Sequence, residues 1–124
     1  MTLLLIALAG GLGATTRFVL DVLISARWTV RELRPGIVVV NIAGSFLLGA
    51  IVGLAGSGSG LSPHTATVLG VGFCGGLTTF SAASLEAVHL WATGERRPAI
   101  AYVLVTLLGS LLAAWLGLAV MTLS

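Results

Sequence analysis

The chain has no lysine and few charged residues of any kind. Of its 124 residues, only 8% are Asp, Glu, Lys or Arg, whereas 57% are hydrophobic. A soluble domain usually has about a quarter of its residues charged, so this composition excludes an ordinary soluble protein and predicts an integral membrane protein. The sequence pI is near 9.5, but the arginines are scattered between apolar stretches. They indicate membrane topology rather than a nucleic-acid ligand.

Chemistry-bearing side chains are equally scarce. Cys74 is the single cysteine, which excludes a disulfide within the chain and a cysteine-based metal cluster, and it is expected to be a buried small residue. Glu86 and His89 lie three residues apart, which is only a weak metal signal. The sequence shows no pairing of a nucleophile with a base, so we do not expect an enzyme. The N-terminus lacks the basic region of a signal peptide and is interpreted as the start of a membrane span.

Apolar runs divide the chain into four segments. At about 20 residues for each crossing, they predict an all-α protein with one transmembrane domain, 1–124, whose spans cover roughly 2–23, 37–54, 64–91 and 99–122. The third segment is too long for one straight crossing, which favours an interrupted helix. Small residues repeat every fourth position at Ser45, Gly49 and Gly53 and again at Gly109, Ala113 and Gly117. Such stripes predict close helix packing.

The stretch 72–86, GFCGGLTTFSAASLE, predicts a break near the middle of the third helix. Glycine is a poor helix residue, and Gly72, Gly75 and Gly76 precede Thr78 and Thr79. Inside a bilayer, backbone that leaves the helix must find other partners. Freed carbonyls can bind a cation, and a new helix start offers N–H groups to an anion. The alternative is that these small residues form only a packing face.

Polar residues inside the other spans leave two interpretations open. Asn41 in the second span either bonds to another helix or lines a hydrated path. Tyr102, Thr106 and Ser110 repeat every fourth residue in the last span, and such hydroxyls either line a path or bond to their own backbone. Arg17 lies near the end of the first span, where it either snorkels to the interface or stands at the mouth of an anion path. Asp21, one turn further on, is a candidate partner for Arg17.

Three motifs together resemble the Fluc/CrcB family of fluoride channels. They are GGLGATTRF in the first span, NIAGSFLLG in the second and GFCGGLTTFS in the third, in the same order as in that family. The resemblance implies a four-helix subunit in an antiparallel, dual-topology dimer. It also implies passive fluoride export through two narrow pores and one structural sodium ion at the dimer centre.

The resemblance also assigns roles to residues. It implies that the backbone carbonyls of Gly75 and Thr78 bind the sodium ion, and that Arg17 and Glu86 belong to a vestibule or gate. The expected fluoride path contains an amide, an aromatic ring and several hydroxyls: Asn41, Phe80, Ser81, Ser84, Tyr102, Thr106 and Ser110. One departure is that the family usually reads TTFSTF where this chain reads TTFSAA. Ala83 replaces the second pore phenylalanine and Ala82 the threonine before it.

Two other functions compete with a fluoride channel. A small multidrug transporter is also a dimer of four-span subunits, but it uses an acidic residue within its first span, where this chain has only Asp21 near the end. A non-conducting membrane subunit would explain the small-residue stripes. It would leave Asn41, the break and the hydroxyl track without a role.

The arginines predict a fixed orientation in the plasma membrane. Arg27, Arg31 and Arg34 lie in the connector 25–35, and Arg96 and Arg97 in the connector 92–98. Four spans put both connectors on one membrane side, and the termini and the loop 55–63 on the other side contain no arginine. Positive residues favour the cytoplasm, so both connectors are predicted to be cytoplasmic. A subunit with this bias needs an oppositely oriented partner in an antiparallel dimer, which favours a heterodimer with a related subunit over a homodimer.

Overall fold

In a computed structural model that describes residues 1–28, 33–58 and 60–124, the chain is a bundle of long helices. Helix α1 is Thr2–Arg27 and α2 is Pro35–Gly56. The third span, Pro63–Ala92, consists of α3 over 63–77 and α4 over Phe80–Ala92. Helix α5 is Arg96–Leu123. These helices give four candidate membrane spans by length and composition. The protein is therefore an all-α, multi-pass membrane protein, as the sequence predicts.

Helix α3 is not a uniform α-helix. An α-helical turn, Pro63–Thr67, leads into a π-helical segment, Val68–Cys74, and a short α-helical turn, Gly75–Leu77. π-Helical segments are rare and often occur at functional sites. Cys74 lies at the end of this segment and is 1% exposed, which confirms that it is buried. No feature of the sequence predicted the π-helical winding.

The helices pack as two interleaved pairs, in which α1 packs mainly against α3 and α2 mainly against α5. The small residues explain this closeness. A Cβ atom on Gly49 would lie 2.0 Å from the Ala114 carbonyl oxygen, and one on Gly117 would lie 2.1 Å from that of Phe46. The predicted stripes on α2 and α5 are therefore confirmed as one shared contact. In lipid, such van der Waals packing replaces the hydrophobic effect as a source of helix association.

The α1–α3 pair has the same construction. A Cβ atom on Gly13 would lie 2.1 Å from the carbonyl oxygen of Phe73, and one on Gly76 would lie 2.1 Å from that of Gly10. At the end of this pair, the Thr2 hydroxyl and His64 Nε2 are 3.0 Å apart. Most other large side chains of α1 face outward; Leu3, Leu12 and Phe18 are 82%, 66% and 68% exposed. A lipid-facing surface accounts for so much exposed apolar area.

Two sequence predictions are changed or left aside at the end of α1. The Asp21 carboxylate is bound by the Arg34 guanidinium, not by Arg17, and Ser25 Oγ donates to Asp21 Oδ1 at 3.2 Å. The prediction of an Asp21–Arg17 pair is therefore wrong, because the fold brings the residue before α2 back onto α1. Arg31, which belongs to the predicted cytoplasmic arginine cluster, lies outside the described residues.

Candidate functional site

The third span is interrupted at Thr78 and Thr79. Both residues leave the helical region, with φ/ψ of −85°/154° and −151°/119°. The Thr79 hydroxyl then caps the next helix by accepting the Ala82 N–H at 3.2 Å, which is the usual role of threonine at a helix start. The break predicted near the middle of the third span is therefore present in the structure.

Asn41 of α2 holds the break by both ends of its side-chain amide. Its Oδ1 accepts the backbone N–H of Thr79 at 2.7 Å, and its Nδ2 donates to the Thr79 carbonyl at 3.1 Å. In a continuous α-helix the Thr79 N–H would bond to the carbonyl of Gly75, four residues earlier. Asn41 Oδ1 thus accepts the Thr79 N–H in place of the Gly75 carbonyl, and this carbonyl does not have its usual helical partner. Of the two interpretations of Asn41, the bond to another helix is confirmed.

A groove of about 400 Å³ opens beside the break, and we call it the polar groove. It is bounded by residues of α2, the break, α4 and α5: Asn41, Ser45, Leu48, Thr78, Thr79, Phe80, Ala83, Ser84, Tyr102, Val103, Thr106, Leu107 and Ser110. The amide Nδ2 of Asn41 has a second N–H beyond the one that Thr79 accepts. Asn41 thus both binds the break and lines the groove.

The hydroxyls along the polar groove differ in their hydrogen bonding. Thr106 Oγ1 donates to the Tyr102 carbonyl at 2.7 Å, and Ser84 Oγ donates to the Phe80 carbonyl at 2.8 Å. The Tyr102 hydroxyl and Ser110 Oγ are buried and have no hydrogen-bond partner among the described residues. Buried polar groups normally have partners, so these two hydroxyls lack the hydrogen bond that a buried group usually makes.

Phe80 marks the open side of the groove. Its side chain is 89% exposed, although it begins a helix in the middle of the span. Ala83, one turn later, is half-buried and packs with Ala82 against a small core of Ile37, Leu90, Ala99 and Tyr102. Where the resembled family has a second aromatic ring, this chain therefore has only methyl groups beneath the groove.

The remaining predicted site residues lie outside the polar groove. Ser81 Oγ is 3.2 Å from the Thr79 hydroxyl, and Glu86 has one buried carboxylate oxygen without a partner among the described residues. Arg17 is half-buried on α1. Gly75 lies in the last turn of α3, and no described residue from outside this stretch of helix lies within 4 Å of the position that its Cβ atom would occupy.

Among the polar residues that line the groove, the sequence-based site prediction omits Ser45 and Thr79. Ser45 lies one helical turn after Asn41 and lines the groove, a position that the i, i+4 spacing alone would have indicated. It was interpreted only as part of a packing stripe. Thr79 was recognised as polar, but its backbone, rather than its side chain, is what Asn41 binds.

Comparisons with known proteins agree on one family. Residues 4–118 match the model described as "CrcB-like protein, Camphor Resistance (CrcB)". The chain is 41% identical over 117 residues to "Fluoride-specific ion channel FluC 2" of Rhodococcus jostii, covering 94% of this chain and 96% of that protein. It is 44% identical over 119 residues to "Fluoride-specific ion channel FluC 2" of Cutibacterium acnes, covering 96% of each. It is 43% identical over 118 residues to "Fluoride-specific ion channel FluC 1" of Leifsonia xyli, covering 95% of this chain and 85% of that protein.

Proposed function

Because the chain belongs to the CrcB-like family, we propose that it forms a fluoride-selective channel that lowers cytoplasmic fluoride by passive export across the plasma membrane. The relatives are named as ion channels, which confirms the expectation that the chain is not an enzyme. The resemblance to this family on three sequence motifs is likewise confirmed by the family match over 4–118.

The observation that supports a fluoride path is the set of unused donors in the polar groove. Moving a small, strongly hydrated anion into hydrocarbon is very costly, so a path must offer donors in place of water. The hydroxyls of Tyr102 and Ser110 are buried without described partners, and Asn41 has an N–H left beyond its bond to Thr79. The hydroxyls of Thr106 and Ser84 donate their protons to backbone carbonyls. These two residues therefore line the groove without offering an O–H donor to an anion.

Phe80 adds a contact that binds an anion weakly. An aromatic ring has a positive edge and a negative face, so its edge attracts fluoride without the strength of an arginine. Conduction requires binding weak enough to release the ion. Because this side chain is 89% exposed in one subunit and the groove is open beside it, we propose that a second subunit completes the path in an antiparallel dimer. Arg17 and Glu86, outside the groove, are proposed to act at its ends.

We further propose that a sodium ion is held at the dimer centre by the backbone carbonyls of Gly75 and Thr78. The residues fit such an ion in two respects. The Gly75 carbonyl has lost the Thr79 N–H to Asn41, and the extended backbone of Thr78 turns its carbonyl away from the helical direction. Carbonyl oxygens are hard ligands that suit a monovalent cation. A bound cation would brace the break and add positive potential beside the anion path.

The first prediction tests ion selectivity. Liposomes that contain the purified channel, in which this chain is combined with its proposed partner subunit, are expected to release fluoride rapidly and to retain chloride, because the donors of the groove compensate only for a small anion. A fluoride electrode and a chloride electrode on matched liposomes measure the two rates. A drug cation such as ethidium serves as a third substrate. Equal fluoride and chloride release would refute a fluoride-selective channel, and proton-coupled ethidium uptake would favour a multidrug transporter.

The multidrug alternative is disfavoured by the Asp21 environment. That residue is 6% exposed, and both of its carboxylate oxygens are engaged, by Arg34 and by Ser25. A carboxylate that must bind drug and proton in turn has to be accessible, and this one is already paired. The non-conducting subunit remains an outcome of the next experiment.

The second prediction concerns orientation and partner. Five arginines lie in the two connectors on one side of the membrane and none on the other, which supports one fixed orientation with both connectors cytoplasmic. Ala83, where the family has a second phenylalanine, supports a partner with a complete aromatic set. We therefore propose a heterodimer with a related subunit of opposite bias.

A membrane-impermeant thiol label on a cysteine added at either terminus, in a Cys74→Ser background, is expected to react from outside the cell only. Fluoride efflux from this gene product alone is expected to be low and to rise when a related, oppositely oriented subunit is co-expressed. The matched control is a cysteine placed in the connector, at Thr93, which is expected to react only after the membrane is opened. Labelling of both termini and Thr93 from outside, together with strong efflux from the single gene product, would establish a homodimer instead.

A further inference from the structure

A second groove, separate from the polar groove, lies between α4 and α5 at the membrane end that contains their connector. It has a volume of about 340 Å³, and it is lined by apolar side chains only: Ala87, Val88, Trp91, Ala99, Ile100, Val103 and Leu104. From Arg96 to Leu104, at the far end of the lining, the helix rises by about 12 Å. This depth corresponds to the upper part of a lipid chain in one leaflet.

Positive charge stands at the mouth of this groove. The Arg96 guanidinium lies over the Trp91 ring, 5.1 Å from its centroid, and Trp91 is itself part of the lining. Stacking on an aromatic face leaves the edge N–H groups of a guanidinium free to bind a phosphate in a bidentate manner. Arg97 is also exposed, and within the described part of the chain neither arginine has an acidic partner at ion-pair distance.

The start of α5 adds to the positive potential. The residue before α5, Glu95, provides no side-chain cap, so the first backbone N–H groups of α5 have no side-chain acceptor from it. A helix start has a partial positive charge. Glu95 is the one acidic residue in this connector, and its carboxylate opposes the arginines.

A comparable groove on the same end of the bundle has a paired arginine beside part of its lining. The groove between α2 and α5, of about 360 Å³, is lined by Leu33 and Pro35 among others. The arginine between them, Arg34, is bound to Asp21. An apolar chain fits either groove. Arg97 precedes Pro98, which lines the α2–α5 groove, whereas the Arg96 guanidinium stacks on Trp91 in the lining of the α4–α5 groove.

We propose that the α4–α5 groove binds an anionic phospholipid, with an acyl chain along the apolar lining and the headgroup phosphate on Arg96 and Arg97. This site is independent of fluoride conduction, since none of these residues lines the polar groove except Val103, which lies between the two. The charge and the chain-shaped lining together favour a lipid over a second protein copy, which would have to bury both arginines.

The test uses brominated lipids, which quench nearby tryptophan fluorescence. The protein has three tryptophans, so Trp28→Phe with Trp115→Phe leaves Trp91 as the sole reporter at the groove. Reconstituted vesicles of phosphatidylcholine receive increasing fractions of brominated phosphatidylglycerol or, in parallel, brominated phosphatidylcholine. At low salt, quenching of Trp91 is expected to show that the groove binds phosphatidylglycerol about thirtyfold more strongly than phosphatidylcholine. Each arginine near a membrane surface contributes about fivefold to this preference.

Variants separate the headgroup contact from general surface charge. Arg96→Gln and Arg97→Gln are each expected to reduce the preference about fivefold, and the double variant to remove it, whereas Glu95→Gln is expected to increase it. Arg27→Gln, at the end of α1, serves as the matched arginine control and is expected to leave the preference unchanged. A protein that retains only Trp115, which lies in α5 toward the end opposite Arg96 and Arg97, is expected to show no preference.

A further pair of variants tests the groove itself. Val88→Phe fills the lining and is expected to weaken phosphatidylglycerol quenching severalfold, whereas Leu111→Phe, at a similarly exposed position outside the groove, is not. Equal quenching of Trp91 by the two lipids, or a preference that survives the double arginine substitution, would overturn the proposal. So would quenching unaffected by Val88→Phe. Absence of quenching at Trp91 by either lipid, with normal quenching at Trp115, would indicate that protein covers the groove and would equally overturn it.

Discussion

Replacing Asn41 with aspartate is expected to lower fluoride release from liposomes by about a hundredfold. The substitution keeps the acceptor for the Thr79 N–H but turns the donor toward the Thr79 carbonyl into a second acceptor, 3.1 Å away. A buried group left without its partner costs about 1–3 kcal/mol, and about 2.8 kcal/mol corresponds to a factor of a hundred. The variant also removes the amide N–H that faces the polar groove and puts negative charge beside the anion path.

The control for this prediction is Ser45→Ala, one turn further along α2 and in the same groove. It removes a hydroxyl without touching the break and is expected to change the fluoride rate by less than about fivefold. Size-exclusion chromatography in detergent checks that both variants assemble like the unsubstituted protein. If Asn41→Asp conducts fluoride at the unsubstituted rate, neither the hold on Thr79 nor the donor in the groove is needed for conduction.

Replacing Gly76 with alanine is expected to disrupt the fold of the subunit, whereas the same change at the neighbouring Gly75 is not. A Cβ atom on Gly76 would lie 2.1 Å from the carbonyl oxygen of Gly10 and 3.0 Å from the backbone nitrogen of Ala14. Both atoms belong to the α1 backbone, which cannot rotate away, so α1 and α3 must separate. Overpacking of this kind typically costs about 1–3 kcal/mol, and a contact this short belongs at the upper end.

Gly75 is the matched control and at the same time tests the sodium proposal. Gly75→Ala has free space within the subunit and is expected to leave its thermal unfolding nearly unchanged. In the proposed dimer, Gly75→Val has bulk enough to reach the second subunit, and it is expected to reduce the dimer fraction and to abolish stabilisation by sodium chloride over N-methylglucamine chloride.

Unfolding in detergent and size-exclusion profiles in the two salts measure these effects. If Gly75→Val forms dimers that sodium stabilises as before, the carbonyl of Gly75 is not at a sodium site. If Gly76→Ala unfolds like the unsubstituted protein, the α1–α3 contact is looser than the structure indicates.

The sequence predicts what depends on local composition and period. The four spans follow from long apolar runs, and the break from glycines followed by threonines. The common face of Tyr102, Thr106 and Ser110 follows from a spacing of four. Each of these signals lies within one membrane span, so it can be recognised without knowing which other helices pack against that span.

The pairings between helices could not be predicted in the same way. Asn41 and Thr79 are 38 residues apart, and Asp21 and Arg34 are 13 apart, so only the packing of the bundle selects these partners over nearer ones. Local spacing favoured Arg17 for Asp21, because that residue is one helical turn away. In the folded bundle, Arg34 binds Asp21 instead. Gly72, within the π-helical segment, likewise fits closely against Ala9 and Ile6 of α1, a contact that the sequence of 68–74 does not predict.

The interleaved helix pairs have a consequence for how the protein is made. During synthesis, α1 leaves the ribosome two membrane segments ahead of α3, and α2 leaves it ahead of α5 by a similar interval. The glycine-lined α1–α3 and α2–α5 contacts each join spans that are not consecutive in the chain. Neither contact can therefore form until a later span has been inserted. Each of the first two helices is inserted before its main packing partner, and α2, which contains Asn41, meets its main partner only when the last helix has been released. The order of the helices along the chain thus favours an assembly step after insertion, in which the α1–α3 and α2–α5 contacts form.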